Sequence, residues 1–155
     1  MKQLILLRHG EAGFSGDTDF KRQLTKKGRD KLIRMAESLN SKLRPIDLMY
    51  SSSAVRTVET AELIGNNLTI KESIFTKEIY DSDLKNLISF LEKTPNSIST
   101  CLLVGHNPTI SLLLAHISGE NYLGMQPGMM AIIDLEISDW QMIGFGTGKL
   151  KEIIQ

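Results

Sequence analysis

Two histidines stand in matching surroundings in this chain. His9 lies in Leu7-Arg8-His9-Gly10, directly after the apolar run at residues 4–7, and His106 lies in Val104-Gly105-His106-Asn107-Pro108, directly after the apolar run at 100–104. A third segment, Ser51-Ser52-Ser53-Ala54-Val55-Arg56-Thr57, brings Arg56 in just after another apolar stretch. The chemistry open to such a set concerns phosphate. Guanidinium forks match phosphoryl oxygens and keep their charge at any physiological pH. A neutral imidazole can attack phosphorus and hold the phosphoryl group as a covalent intermediate. His9 can do this only if a carbonyl accepts a hydrogen bond from its other ring nitrogen and fixes the tautomer. Arg8 and Arg56 are then phosphate binders, and His106, once protonated, donates to the phosphoryl oxygens as charge builds in the transition state. Taken one at a time, these residues have plainer readings as a structural histidine at a strand end and an exposed helix arginine. Their joint placement reverses that preference.

The placement depends on the elements. Short apolar runs at 4–7, 46–50 and 100–104 read as buried parallel strands. A segment at 68–75 reads as an edge strand, and 129–135 with 141–145 as a strand pair around Ser138-Asp139-Trp140. Helical spacing of Leu32, Met35, Ala36 and Leu39 predicts a helix from an N-cap at Thr25 to about residue 43. The serines at 51–53 form a loop and offer a cap to a helix through Val58, Ala61 and Ile64, stopped at Gly65-Asn66-Asn67. Further helices begin at Asp81 or Ser82 and, with Pro108 in the first turn, run through 112–117. This alternation predicts a three-layer α/β/α fold with a mainly parallel central sheet. In such sheets ligands sit at the carboxyl ends of the strands, where His9, Arg56 and His106 arrive together. The helix N-termini after Ser53 and Asn107 add to an anion site.

Composition narrows the function classes. Lys plus Arg and Asp plus Glu both number 18, so the chain lacks the net basic charge of a bulk nucleic-acid binder. The single cysteine, Cys101, rules out an internal disulfide and a Cys-rich metal site, and its apolar neighbours give it the reading of a buried hydrophobe. No carboxylate or cysteine stands at ligand spacing from His9, His106 or His116, so no metal or other cofactor is expected. No secretory signal or stretch of transmembrane length is visible, which points to a cytoplasmic protein with neither a membrane nor a nucleic acid as partner. The sequence carries no signal of oligomeric state.

Three blocks, Leu7-Arg8-His9-Gly10-Glu11-Ala12, Ser51 through Ala61, and Val104-Gly105-His106-Asn107-Pro108, resemble the histidine phosphatase superfamily, also called the phosphoglycerate mutase-like fold. Within it the chain is similar to the small SixA-type phosphohistidine phosphatase branch. The stretch from Asp19 to Gly28 and the ending around Trp140 and Gly146-Thr147-Gly148-Lys149-Leu150 fit that branch, although Gln23 stands where the branch usually has proline. The resemblance covers almost the whole chain and implies a single histidine phosphatase domain over residues 1–155, without a lid domain. It implies that His9 accepts the phosphoryl group, that Arg8, Arg56 and His106 bind it, and that Arg22 leans toward it. It implies a substrate that is a phosphorylated protein carrying phosphohistidine or a small phosphorylated molecule. Glu78 occupies roughly the stretch where larger members keep a proton-donating carboxylate, and is the candidate acid. Two other readings stand beside hydrolysis: a phosphomutase that keeps the phosphoenzyme, and a module that binds phosphate or phosphohistidine without turnover. The rim segments at 14–20, 80–83 and 119–128 are where specificity is expected.

Overall fold

A computed structural model describes all residues, 1–155. Six strands form one sheet in the order β3-β2-β4-β1-β5-β6. They are β1 (Lys2–Arg8), β2 (Leu48–Ser52), β3 (Ser73–Thr76), β4 (Thr100–Gly105), β5 (Met130–Leu135) and β6 (Gly148–Ile154). The four strands β3, β2, β4 and β1 run parallel. The last two strands return antiparallel, β5 on β1 and β6 on β5. The helices are α1 (Lys26–Leu39), α2 (Val55–Gly65), α3 (Lys77–Tyr80), α4 (Leu84–Glu92) and α5 (Thr109–Ser118).

The apolar runs become central strands because both faces of the sheet are covered. Side chains alternate across a strand, so Ile5 and Leu7 face α1 and α2 while Leu4 and Leu6 face α4 and α5. The first face joins Leu32, Met35, Ala36 and Leu39 of α1 to Ala61 and Ile64 of α2 over Met49, Leu102 and Val104. The second joins Leu87, Leu91, Leu113, Leu114 and Ile117 to Leu48, Leu103, Ile133 and the fully buried Trp140. Each large apolar side chain buried this way contributes about 1.5–3 kcal/mol. The three-layer α/β/α architecture with a mainly parallel sheet is therefore as expected.

Several boundaries differ from the sequence reading. The first helix stops at Leu39, short of residue 43. The second strand lies two residues later than expected, because Ser51 and Ser52 are fully buried strand residues rather than a loop. Consequently the residue before α2 is Ala54, with no side-chain cap. The edge strand contracts to four residues, and α3 was not expected. Residues 141–145 are not a strand. Asp139 caps a single 3-10 turn, Trp140–Met142, and Trp140 drops into the core with its indole Nε1 donating to the Ile98 carbonyl at 2.8 Å. The true partner of β5 is β6, whose residues 149–152 are all exposed, so it lacks the alternation that marks a strand.

Candidate active site

Strand register brings the two histidines together. Arg8 of β1 pairs with Gly105 of β4, and the next residue, His9, donates its backbone N–H to the Gly105 carbonyl at 3.1 Å. His106 therefore lies beside His9, with the rings 5.3 Å apart between centroids. On the other side of β4, Ser51 pairs with Val104, which places the end of β2 next to His106. Arg56 stands in the first turn of α2, immediately above that end.

His9 is buried, and its Nδ1 lies 2.7 Å from the Gly10 carbonyl. That contact makes Nδ1 the protonated nitrogen and leaves Nε2 unprotonated, the tautomer a nucleophile needs. Gly10 is itself fixed, since its N–H donates to Thr60 Oγ1 from α2 at 3.1 Å. Arg56 Nε donates to His9 Nε2 at 3.3 Å. Burial, followed by the Arg56 and Arg8 charges, depresses the His9 pKa to about 4 against the pull of the Gly10 carbonyl. Burial, followed by His9 and Arg56, takes His106 to about 3. Both rings are thus neutral at physiological pH. The sequence reading makes His106 a donor once protonated; in the protein alone burial first, and then the neighbouring His9 and Arg56, keep the ring neutral.

His106 Nε2 lies 2.8 Å from Ser52 Oγ, which already accepts the Ala54 N–H at 3.2 Å. With the serine hydroxyl donating to Nε2, the ring hydrogen of His106 sits on Nδ1. That Nδ1 is buried and has no protein partner, and the same is true of Arg8 Nε. Arg8 is anchored by Nη1 on the Met125 carbonyl at 2.8 Å. The helices that start here, α2 and α5, lack side-chain caps, whereas Thr25 and Asp83 cap α1 and α4. The cluster thus assembles a nucleophilic nitrogen, two guanidinium groups, a neutral ring donor and two open helix N-termini, a set suited to a tetrahedral oxyanion.

Some members of this site were not singled out as chemical groups in the sequence. Asp19, in a 3-10 turn (Asp19–Lys21), accepts from Arg56 Nη2 at 3.1 Å and from the Tyr80 hydroxyl at 2.7 Å through Oδ2. Its Oδ1 meets Arg22 Nη1 at 3.2 Å, and its backbone carbonyl accepts from Arg56 Nη1 at 2.7 Å. Arg22 is also tied by Nε to the Gly13 carbonyl at 2.9 Å. It therefore reaches the cluster through Asp19. The Tyr80 hydroxyl first, then Arg56 and Arg22, hold the Asp19 carboxyl down at about 2, so it is ionised. Tyr80 packs edge-on against His106 at 5.4 Å and against Phe20 at 4.9 Å. Ser52 and Thr60 also act here. The sequence signal for all three was their position in the recognised blocks, with nothing in their residue types to reveal the role.

Glu78, the candidate acid, makes no bond to the cluster. It is exposed on α3, and its side chain shares no hydrogen bond or ion pair with His9, His106, Arg8 or Arg56. It lines a surface groove with Lys77, Asp81, Ser82 and Asn86. Glu11 accepts from Thr25 Oγ1 at 3.0 Å and serves the start of α1. His116 lies apart, half-buried against Phe145.

Comparison with known proteins points the same way. Residues 4–88 match the model of the histidine phosphatase superfamily (branch 1). The phosphohistidine phosphatase SixA of Escherichia coli (strain K12) is 26% identical over 149 residues, covering 90% of this chain and 92% of that protein. The mitochondrial serine/threonine-protein phosphatase Pgam5 of Drosophila willistoni is 33% identical over 79 residues, 51% of this chain and 27% of that one. Among solved structures, the protein histidine phosphatase SixA complexed with tungstate superposes with a TM-score of 0.85 at 24% identity, covering 99% of this chain and 96% of that one. A SixA-like protein from Agrobacterium tumefaciens gives 0.82 at 24% identity, covering 99% and 98%.

Proposed function

This chain belongs to the histidine phosphatase superfamily (branch 1), and from that premise we propose that it is a phosphatase that hydrolyses phosphohistidine through a covalent phosphohistidine on His9. The observation that carries the reading is the His9 tautomer: Nδ1 tied to the Gly10 carbonyl, Nε2 bearing the lone pair between Arg56 and His106. Similarity to a phosphohistidine phosphatase over nine-tenths of the chain supports the substrate class.

In the first step Nε2 attacks phosphorus, the bond from phosphorus to the leaving atom breaks, and its electron pair departs with that atom. Arg8 and Arg56 neutralise the equatorial oxygens, and the His106 Nδ1–H donates to one of them. In the second step water attacks the phosphoryl group on His9 and the phosphorus–nitrogen pair returns to Nε2. Nδ1 keeps its hydrogen on the Gly10 carbonyl throughout, and both water protons leave with dihydrogen phosphate. No helix is long and apolar enough to cross a membrane.

The test is His9→Ala. Wild-type protein incubated with phosphohistidine or phosphoramidate acquires acid-labile phosphate, whereas the variant acquires none and loses at least about a thousandfold in kcat/KM, as expected when a covalent nucleophile is removed. Full turnover by the variant would overturn the reading.

A further inference from the structure

The cluster described above holds no protonated carboxyl group to serve a departing oxygen. The carboxylate bonded to the cluster, Asp19, is ionised and accepts three hydrogen bonds from side chains. Its position is informative. His9 and Arg56 are buried, but the Asp19 side chain is 54% exposed and forms the solvent side of the cluster. An in-line displacement by His9 Nε2 sends the leaving group away from the buried floor and outward, toward this carboxylate and the aromatic rings of Tyr80 and Phe20 beside it.

We propose that Asp19 selects the leaving group, its carboxylate accepting the N–H of a protonated phosphoimidazole and so directing the site to phosphorus–nitrogen rather than phosphorus–oxygen bonds. The inference rests on the phosphatase reading and extends it to a residue.

The proton balance favours this division of labour. A phosphoimidazole protonated on its far nitrogen carries one positive ring charge and two negative phosphoryl charges. When its phosphorus–nitrogen bond breaks, the electron pair returns to the ring and a neutral imidazole departs. No proton has to be delivered. Phosphoramidate behaves alike, its –NH3⁺ leaving as ammonia. An alkyl phosphate, by contrast, releases an alkoxide and calls for a general acid, whose absence costs about a hundred- to ten-thousandfold. An anionic acceptor holding the N–H stabilises the protonated ring and thus the form that reacts. Phosphoryl oxygens arriving on Arg56 and Arg22 relieve Asp19 of two of its present donors and free it to accept from the substrate.

The experiment compares kcat/KM for a phosphohistidine peptide and for p-nitrophenyl phosphate, an ester whose leaving group departs without an acid. The proposal expects the ratio of the two to fall about ten- to hundredfold in Asp19→Asn, the worth of one charge-assisted hydrogen bond, and to recover partly in Asp19→Glu. It also expects the alkaline limb of kcat on the peptide, which reports the bound complex, to move to lower pH in Asp19→Asn. If both substrates fall together, Asp19 merely anchors Arg56 and Arg22 and the proposal is overturned. If both rise together, Asp19 occupies the phosphoryl seat, and the proposal is overturned as well. Acid-labile labelling of the wild-type protein is read first: its absence overturns the phosphatase reading itself, while labelling with an unchanged ratio overturns only the role of Asp19.

Discussion

At the scale of single residues, the site works by keeping histidines neutral among positive charges. Burial lowers the basicity of His9 most, and Arg56, which touches its Nε2, and Arg8 add to that effect. An NMR titration of the ring nitrogens should show His9 as the Nδ1–H tautomer down to about pH 4, with His106 titrating lower still. Protonation would remove the Nε2 lone pair, so competence as a nucleophile is lost as pH falls through that midpoint. Inorganic phosphate at the cluster adds negative charge and should raise both midpoints. A midpoint near 6.5 for His9 in the free protein would contradict the arrangement. His9, Arg8, Arg56 and His106 could be read from sequence because each follows a strand end in an order that makes them neighbours. Asp19 could not be, because it meets Arg56 across 37 residues through a one-turn 3-10 helix that leaves no periodic mark.

At the scale of elements, the nucleophile's loop is held between two helices. Thr60 of α2 fixes Gly10, and the start of α1 presses on Glu11. Gly28 makes that second contact possible, since a Cβ there would lie 2.4 Å from the Glu11 carbonyl oxygen and 3.0 Å from its nitrogen. Gly28→Ala is therefore a sharp test of which effect wins. Helix propensity alone favours alanine by about 1 kcal/mol, yet the backbone collision should make the variant less stable by about 1–3 kcal/mol in urea denaturation. A gain in stability would show that the loop can yield. The strands and helices that bury one face were legible as periodic patterns. β6 was not, because it is an exposed edge strand, and residues 141–145 misled because Trp140 and Ile143 reach the core from a turn instead of an alternating strand.

At the scale of the whole molecule, neutral buried histidines link stability to pH. The unfolded chain protonates histidine near 6.5, while folded His9 resists until about 4. Between those values the unfolded state binds more protons, so stability falls as pH falls, at up to about 1.4 kcal/mol per pH unit for each such group. Urea denaturation at pH 7 and pH 4.5 should show the wild type losing about 2 kcal/mol more than His9→Gln over that interval. Equal losses would mean that His9 does not carry the linkage.

The sheet also has a second end. There the Trp140 indole and the Lys2 ammonium both donate to the Ile98 carbonyl, and Asn96 Oδ1 accepts the Trp140 backbone N–H. This clamp closes the amino ends of β1 and β4, the full length of those strands away from His9 and His106. This clamp and the phosphate-binding cluster thus stand at opposite ends of one sheet. The rim formed by Asp19, Phe20 and Tyr80 therefore lies at the far end of the sheet from the contacts that close its amino edge.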